Sequence, residues 1–516
     1  MRATSLGHAG IFIESGESKI LCDPWFVPAF FASWFVFPRN DQLSDELKNK
    51  VESPTHLYIS HIHGDHLDES FLADHVNRDA IVLLPDFPSR ELERRLTNLG
   101  FRNFLQTKNA EELQIDTNTR IAIHVETSIT DGPGGDSALV VSDGKSRLVN
   151  QNDCRTGDLA SLRSHGPVDL HWLQFSGAIW YPMVYQLDAK AKLELAQAKV
   201  ESQFKRALKY VETLDARAVV PSAGPPCFLD DDLFHLNMIN GNETSIFPDQ
   251  TKFLSRLNQL DRKNDILAIP GTMIDFSPSQ VTVSHPKNID IDEIFANKEK
   301  YLRKYQSDWL PWLTNEKNKW ASTRTDLLTT LQSWFEPLLK LAPNLRAGVG
   351  ANCLIKTDDL EILIDFKSGN VVEFNGQTFG FQFKIPRDLL EKVVRDRSVD
   401  WSNSFFLSCR FTAWRSGEFN EYIYNFFKSL SPERMMRTEL EATSRLEINN
   451  QLSEEIELGD YVMQRKCPHR QADLSVFGEI NGEELVCSLH GWRFNLNDGQ
   501  CLNAEDRPLR VRKIVR

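Results

Sequence analysis

Residues 55–66 read THLYISHIHGDH, and this stretch decides how the first half of the chain folds. The apolar run THLYIS predicts a β-strand, and the six residues after it place three imidazoles and a carboxylate in one loop. Two histidines one residue apart at a strand end, His61 and His63, can bind one metal ion. Asp65 and His66 on the next turn can bind a second ion beside it. The sequence therefore predicts a metal site here rather than a group of unrelated surface histidines.

Short apolar runs on both sides of this stretch predict further strands, over Ser18–Leu21, Thr55–Ser60, Ala80–Leu84, Arg120–Val125, Ala138–Val141, Arg147–Asn150 and Ala218–Val220. A polar stretch, Ser89–Leu99, predicts a helix between two of them. A long amphipathic helix is predicted over Ala189–Leu214, because apolar side chains recur there at helical spacing. Together these elements predict a layered α/β domain.

The composition favours a soluble globular protein of several domains. At roughly 100–200 residues per domain, 516 residues correspond to about three domains. The 59 basic and 72 acidic residues give a net charge of −13, which argues against a nucleic-acid partner and against a broad contact with an anionic membrane. The most apolar run, Trp25–Phe37, is too short to span a membrane. We expect its aromatic side chains to form a buried wall; the lip of a pocket for an apolar substrate is the alternative.

Two further features bear on where the protein works. The chain opens with MRATSLGHAG, without a charged-then-apolar signal segment, so we expect it to be cytoplasmic. Its 8 cysteines in so long a chain do not indicate a disulfide scaffold.

Four residues near the C-terminus form a second metal-binding pattern: Cys467, His469, Cys487 and His490. The spacing C-x-H, then seventeen residues, then C-x-x-H presents one thiolate and one imidazole from each of two loops. Such a set could close a structural zinc site. It also meets the requirement of a Rieske [2Fe-2S] cluster, in which two cysteines hold one iron and two histidines the other. The continuation HGWRFNLNDGQCL resembles the Rieske domain closely and favours the cluster.

These patterns predict three domains. Residues 1–285 form the metal-binding α/β domain, 286–437 a helical linker and an α+β module in which no chemistry is visible, and 438–516 an all-β Rieske domain.

The HIHGDH motif and the opening SLGHAGIFIESGESKILCDPWF resemble the metallo-β-lactamase fold, which implies an αββα sandwich over residues 1–285. In that fold further ligands come from later strand ends, and LVNQNDC places Asp153 where the metal-bridging aspartate is expected; an ordinary turn residue is the alternative. His8 and Asp23 either line the same pocket or are hydrogen-bonded structural residues.

Departures from the hydrolases of this fold point to a different chemistry. The usual third histidine should fall near Thr130–Asp136, and the usual final one after the strand Ala218–Val220, but TDGPGGD and PSAGPP contain neither. His61, His63 and Asp153 then remain as a two-histidine, one-carboxylate set, which suits Fe(II) and O2. Beside them, Asp65 and His66 could hold a second iron, orient the first ligands or act catalytically in proton transfer.

Several segments resemble the CMP-N-acetylneuraminate hydroxylase family: Asp23-Pro24-Trp25, Ile59–His63, Asn152-Asp153-Cys154, Phe175-Ser176-Gly177 and Pro221–Gly224, in this order. The resemblance implies a Rieske-containing monooxygenase that adds a hydroxyl group to the N-acetyl group of a nucleotide sugar. The domain order departs from that family, whose Rieske domain is N-terminal. A CMP-sialic acid substrate is therefore one option among several for a small-molecule substrate.

We therefore expect an O2-dependent hydroxylase in which the Rieske cluster passes electrons to one or two Fe(II) ions in the metallo-β-lactamase-fold pocket. An external electron donor, a reductase or a cytochrome, would reduce the cluster. The alternatives are a metal-dependent hydrolase with a redox-controlling Rieske domain, and a non-catalytic redox or partner-binding protein.

Overall fold

The computed structural model describes residues 1–128, 134–239, 244–287, 289–320, 324–417, 419–447, 454–503 and 507–514. The chain separates into two compact units. The first comprises Met1–Thr127, Gly134–Met183 and Ala189–Asn315, and the second consists chiefly of Glu316–Arg516 together with Val184–Asp188.

The first unit contains sixteen of the described strands: β1 (Arg2–Gly7), β2 (Gly10–Ser15), β3 (Ser18–Cys22), β4 (Phe35–Val36), β5 (His56–Tyr58), β6 (Ile81–Leu84), β7 (Phe104–Gln106), β8 (Leu113–Gln114), β9 (Arg120–Glu126), β10 (Asp136–Ser142), β11 (Arg147–Asn152), β12 (Leu170–Gln174), β13 (Ala218–Ser222), β14 (Pro226–Cys227), β15 (Met273–Ser277) and β16 (Gln280–Ser284). Its helices are α1 (Asp45–Glu52), α2 (Glu69–His75), α3 (Glu91–Asn98), α4 (Leu159–Ser164), α5 (Ala189–Leu214), α6 (Gln250–Asn258), α7 (Ile291–Ala296) and α8 (Lys298–Asn318).

Two sheets form the centre of this unit. The first has eight strands in the order β16-β15-β1-β2-β3-β5-β6-β7, and the second has six in the order β13-β12-β11-β10-β9-β8. Side chains alternate along β2: Ile11 and Ile13 face the apolar core shared with the second sheet, and Phe12 faces the cluster that α1, α2 and α3 complete. Helices α5 and α6 lie against the second sheet. The result is the αββα sandwich of the metallo-β-lactamase fold.

The predicted strands and helices of this unit are confirmed, with shifts at their ends. Helix α5 begins and ends where the apolar spacing predicts. The strand predicted over Thr55–Ser60 is shorter, because Ser60 leaves the sheet and its amide donates to Asp23 Oδ1 at 2.7 Å. Most of the aromatic stretch Trp25–Phe37 is buried, as expected, and Phe35 and Phe37 pack against α7 and α8.

The second unit contains β17 (Cys353–Lys356), β18 (Glu361–Asp365), β19 (Asn370–Glu373), β20 (Phe381–Lys384), β21 (Thr412–Arg415), β22 (Glu455–Leu458), β23 (Tyr461–Gln464), β24 (Gly478–Asn481), β25 (Glu484–Cys487), β26 (Trp492–Asn495) and β27 (Val511–Lys513). Its helices are α9 (Leu327–Leu341), α10 (Pro343–Val349), α11 (Arg387–Arg395), α12 (Glu421–Lys428), α13 (Pro432–Glu447) and α14 (Leu474–Phe477).

This unit combines a five-stranded sheet in the order β19-β18-β17-β20-β21 with two three-stranded sheets, β22-β23-β27 and β24-β25-β26. The larger sheet and helices α9 to α12 lie within residues 286–437, where the sequence predicts an α+β module, and the two small sheets lie within residues 438–516, where it predicts a Rieske domain. Within the described ranges, no helix has the length and apolar content needed to cross a membrane.

Candidate metal centres

The first candidate centre lies where several strands of the first unit end. Strands β1, β3 and β5 run in the same direction, so their carboxyl ends meet at one edge of the sheet. His8 follows β1, Asp23 follows β3 and the HIHGDH loop follows β5. Asp153 directly follows β11 of the other sheet. This convergence brings together residues separated by up to 145 positions in the sequence.

One set of potential ligands consists of His61, His63 and Asp153, each with a ligand atom within 4.8 Å of the others. His61 Nε2 lies 2.7 Å from His63 Nδ1 and 3.8 Å from Asp153 Oδ2. His61 is buried, whereas His63 and Asp153 are partly accessible. This is the two-histidine, one-carboxylate set that the sequence predicts.

A second set consists of His8, Asp65 and His66, and all three side chains are buried. His8 Nε2 lies 3.0 Å from Asp65 Oδ2, and His66 Nε2 lies 3.8 Å from the same oxygen. His8 therefore lines the pocket. The family resemblance alone leaves open whether His8 lines the pocket or is a hydrogen-bonded structural residue. Trp25 of the aromatic stretch contacts its ring edge-on, with the centroids 4.8 Å apart.

Asp153 connects the two sets. Its Oδ2 faces His61, and its Oδ1 lies 3.5 Å from His66 Nε2. Within the described part of the chain, His66 Nε2 and Asp153 Oδ1 are both buried without a hydrogen-bond partner. Buried polar atoms without partners are costly, and a cation between them would satisfy both. The residues present thus fit two metal ions, one that each set would hold, with the Asp153 carboxylate facing both sets.

The charges around His66 also favour a cation. Burial by itself lowers the pKa of His66, but the carboxylates of Asp153, Asp65 and Asp23 raise it to about 10. Burial by itself also raises the pKa of Asp65. The neighbouring imidazoles of His66 and His8 have the larger, opposite effect, and they hold the pKa of Asp65 well below its usual range. Without a metal ion, His66 therefore carries a proton that partly compensates the buried carboxylates. A metal ion can replace that proton.

Three residues behind the ligands fix their orientation. Asp23 Oδ2 lies 3.2 Å from His66 Nδ1, and Ser60 Oγ lies 3.0 Å from His61 Nδ1. Asp136 Oδ1 lies 3.3 Å from His61 Nδ1. A carboxylate on the far ring nitrogen of a ligating histidine sets its tautomer and raises its basicity, so Asp23 and Asp136 direct the Nε2 atoms of His66 and His61 into the pocket.

The contact of Asp136 with His61 is not predicted by the sequence. Asp136 ends the segment in which the hydrolases' third histidine is expected, and positions 130–133 of that segment lie outside the described residues.

The PSAGPP segment, which lacks the final histidine, contacts the pocket through its backbone: the amide of Ala223 donates to the carbonyl of His8 at 3.0 Å. This hydrogen bond holds the backbone of His8, which belongs to the second set.

The second candidate centre lies in the C-terminal domain, between the loops that follow β23 and β25. Cys467 and Cys487 are fully buried, and their side chains are hydrogen-bonded to each other. The rings of His469 and His490 lie edge-on, with centroids 5.0 Å apart. The structure thus brings the four predicted ligands together, one cysteine and one histidine from each loop.

Backbone amides in both loops point at the sulfurs. The amides of His469 and Arg470 donate to Cys467, and those of Leu489 and His490 donate to Cys487. Burial raises the pKa of the Cys467 thiol, whereas the hydrogen bond from Cys467 and the amides lower the pKa of Cys487. His469 Nδ1 is buried and has no hydrogen-bond partner within the described ranges. A cluster with histidine and cysteine ligands requires hydrogen-bond donors near its sulfurs and imidazole nitrogens that are available to bind iron. Both features are present here.

Comparison with known families supports both parts of the second unit. The profile of the Rieske [2Fe-2S] domain matches residues 432–512, and that of the Rv3818-like, SCP2-like domain matches residues 327–444. A protein of Mycolicibacterium smegmatis that carries the provisional name Rieske 2Fe-2S iron-sulfur protein is 41% identical over the whole length of both chains. The chain belongs to this family of Rieske 2Fe-2S iron-sulfur proteins.

More distant similarities cover part of this Rieske protein. The cytidine monophosphate-N-acetylneuraminic acid hydroxylase of Macaca mulatta is 27% identical over 43% of this chain and 38% of its own length. The solved structure of CmlA, a diiron β-hydroxylase from Streptomyces venezuelae, aligns with 55% of this chain and 54% of its own at 15% identity and a TM-score of 0.34. The match to the Macaca mulatta enzyme confirms the predicted likeness to its hydroxylase family for part of the chain.

The assignment of the cluster ligands can be tested by spectroscopy. We expect the reduced protein to give the rhombic EPR signal of a [2Fe-2S] cluster with mixed histidine and cysteine ligands, and Cys487→Ser to abolish it. Cys501, which lies outside the motif, offers the matched control, and Cys501→Ser should retain the signal. A colourless protein holding one zinc at these residues after expression in iron-replete medium would show that the site is not a Rieske centre.

The pocket ligands can be tested by metal content. We expect His61→Ala combined with His63→Ala to lower non-cluster metal by at least half and leave the Rieske spectrum unchanged, because these imidazoles belong only to the first unit. The exposed histidine His75 provides the control, and His75→Ala should leave metal content unchanged. Full retention of non-cluster metal in the double variant would refute this assignment.

The raised pKa of His66 predicts how metal binding depends on pH. Because the ring is protonated well above neutral pH, binding at Nε2 must release a proton, and the apparent association constant should rise about tenfold per pH unit between pH 7 and 9. Isothermal titration of metal-free protein at several pH values measures this slope. Asp23→Asn leaves every proposed ligand in place but removes a carboxylate that raises the pKa of His66, so it should flatten the slope at the upper end of this range; an equal slope in both proteins would contradict the prediction.

Proposed function

We propose that this protein is a Rieske-type, iron-dependent monooxygenase: a hydroxylase whose C-terminal [2Fe-2S] cluster supplies electrons to iron in the metallo-β-lactamase-fold pocket. One observation carries the proposal: the same chain contains a Rieske domain and two histidine-carboxylate sets, and Asp153 of the first set also faces His66 of the second. A Rieske cluster transfers single electrons at potentials of about −150 to +300 mV, and a hydrolytic reaction has no use for them.

The donor set of the pocket supports iron. Imidazole and carboxylate ligands with open positions are typical of the non-haem Fe(II) sites that activate O2. His61, His63 and Asp153 would hold one iron, and His8, Asp65 and His66 a second, with the carboxylate of Asp153 between them. Iron bound here would supply the activation of O2. Asp65 and His66 then serve as ligands, which their grouping with His8 favours over a role in proton transfer alone.

The residues around the ions would prepare the reaction by orientation and by exclusion of water. Asp23 and Asp136 hold the rings of His66 and His61 in one orientation, so little rearrangement is needed during turnover. The aromatic stretch places Trp25 against His8 and Trp34 further out, with centroid separations from the His8 ring of 4.8 Å and 6.4 Å. This apolar wall limits access of water on one side, which protects an oxidising reaction from side reactions.

The similarity to the cytidine monophosphate-N-acetylneuraminic acid hydroxylase favours an N-acylated sugar, such as a CMP-sialic acid, as the substrate class. It covers less than half of this chain, so other N-acyl or sugar substrates of similar size fit the proposal equally. We further propose that a reductase or a cytochrome donates electrons to the cluster, because a Rieske domain requires such a partner.

A metal-dependent hydrolase is the second candidate, because two bridged ions can also generate a hydroxide from water. The fold is shared by both reaction classes. The two candidates differ in the source of the product oxygen and in their need for electrons.

Labelled oxygen separates the two. We expect the product to carry one atom from ¹⁸O2 and O2 consumption to fall at least a hundredfold in His469→Cys, because the altered cluster cannot deliver electrons at its normal potential. Cys501→Ser should behave like the wild type. Product oxygen derived from H2¹⁸O, with a rate unaffected by loss of the cluster, would show instead that the protein is a hydrolase.

A further inference from the structure

The ring of His469 is enclosed on its face and at its outer edge. Its side chain is 1% exposed. The ring stacks on Trp492 of β26, with centroids 4.0 Å apart and an angle of 15° between the planes. At the edge, His469 Nε2 lies 3.2 Å from Oε2 of Glu421, a residue of the middle module. An acidic side chain from outside the Rieske domain therefore contacts a proposed cluster ligand.

Glu421 is held in place by its own element. It is the first residue of α12, and the side chain of Asn420 caps this helix by accepting a hydrogen bond from the Ile423 amide. A carboxylate in the first turn of a helix is stabilised by the positive end of the helix dipole. Glu421 is buried, so its carboxylate is held in one position by the surrounding protein.

Arg507, from the loop before β27, compensates the charge of Glu421. Its Nη2 donates to Glu421 Oε1, and its Nη1 donates to the carbonyl of His469 at 2.7 Å. Its guanidinium group also lies over the ring of Trp492, 4.9 Å from the centroid. One arginine therefore fixes both the carboxylate and the backbone of His469, and it supplies the opposite charge that a buried carboxylate requires.

This arrangement has a consequence for the electronic state of a bound cluster. In the loaded protein, Nδ1 of His469 would hold iron, so Nε2 would carry the ring proton and donate a hydrogen bond to Glu421. A carboxylate on the far nitrogen makes a ligating histidine a stronger donor. A stronger donor, and a negative charge nearby, both stabilise the oxidised cluster more than the reduced one.

We propose that Glu421 is a positioning residue of the Rieske centre, through which the middle module lowers the reduction potential of the cluster. The proposal rests on the cluster assignment within the proposed function and not on the reaction in the pocket. It gives the middle module a defined role, because this module supplies the buried carboxylate that orients His469 and sets how readily the cluster gives up its electron.

Redox titration of the full-length protein, followed by the EPR signal of the reduced cluster, tests this proposal without substrate. In Glu421→Gln we expect the ratio of reduced to oxidised cluster at a fixed ambient potential to rise at least tenfold, a midpoint shift of 59 mV or more to higher potential. Glu484→Gln is the matched control. It removes the same charge from an exposed ion pair with Arg493 on the Rieske domain, and the ratio should change less than twofold.

A second variant covers the case in which Glu421→Gln fails to retain the cluster. Glu421→Asp keeps the charge but moves it away from His469 by one methylene group. We therefore expect the ratio of reduced to oxidised cluster to rise between twofold and tenfold. A ratio within twofold of the wild type in either variant, with the EPR line shape and iron content intact, would overturn the proposal. Because the potential is measured without substrate, this outcome is distinct from failure of the hydroxylase assignment.

Discussion

The need to balance buried carboxylates at one edge of the metallo-β-lactamase fold determines the arrangement of the first unit. Asp153 presents one oxygen to each of two histidine-containing sets, while Asp65 and Asp23 are buried beside it. Charges of one sign cannot be buried together unless protons or metal ions compensate them. The convergence of β1, β3, β5 and β11 on this edge places the residues so that two cations can do so.

The same principle applies at the Rieske centre, where the compensating groups come from more than one domain. Glu421 of the middle module contacts His469, and Arg507 pairs with that carboxylate. Each centre thus has a second layer of carboxylates that orients imidazoles: Asp23 and Asp136 in the pocket, and Glu421 at the cluster. Such groups influence the properties of a metal centre although they do not touch the metal.

Local sequence was sufficient to predict the parts whose signal is contiguous. The HIHGDH motif follows an apolar strand, the Rieske pattern has fixed spacing, and the apolar period of α5 gives its ends. Asp136 and Glu421 could not be predicted in this way. Each becomes a neighbour of its histidine only through long-range packing, across 75 and 48 positions respectively, and nothing in the adjacent residues distinguishes it from any other acidic side chain.

If the protein is a Rieske monooxygenase, electrons held by the cluster must be used in the metallo-β-lactamase-fold pocket, and a single-turnover experiment can follow that transfer. The protein is reduced anaerobically, mixed with O2 and candidate substrate, and the reoxidation of the cluster is followed by its visible absorption. We expect rapid, substrate-dependent reoxidation that is lost when Asp153→Asn removes the charge of the bridging carboxylate. Reoxidation at the same rate with and without an intact pocket would contradict the monooxygenase assignment.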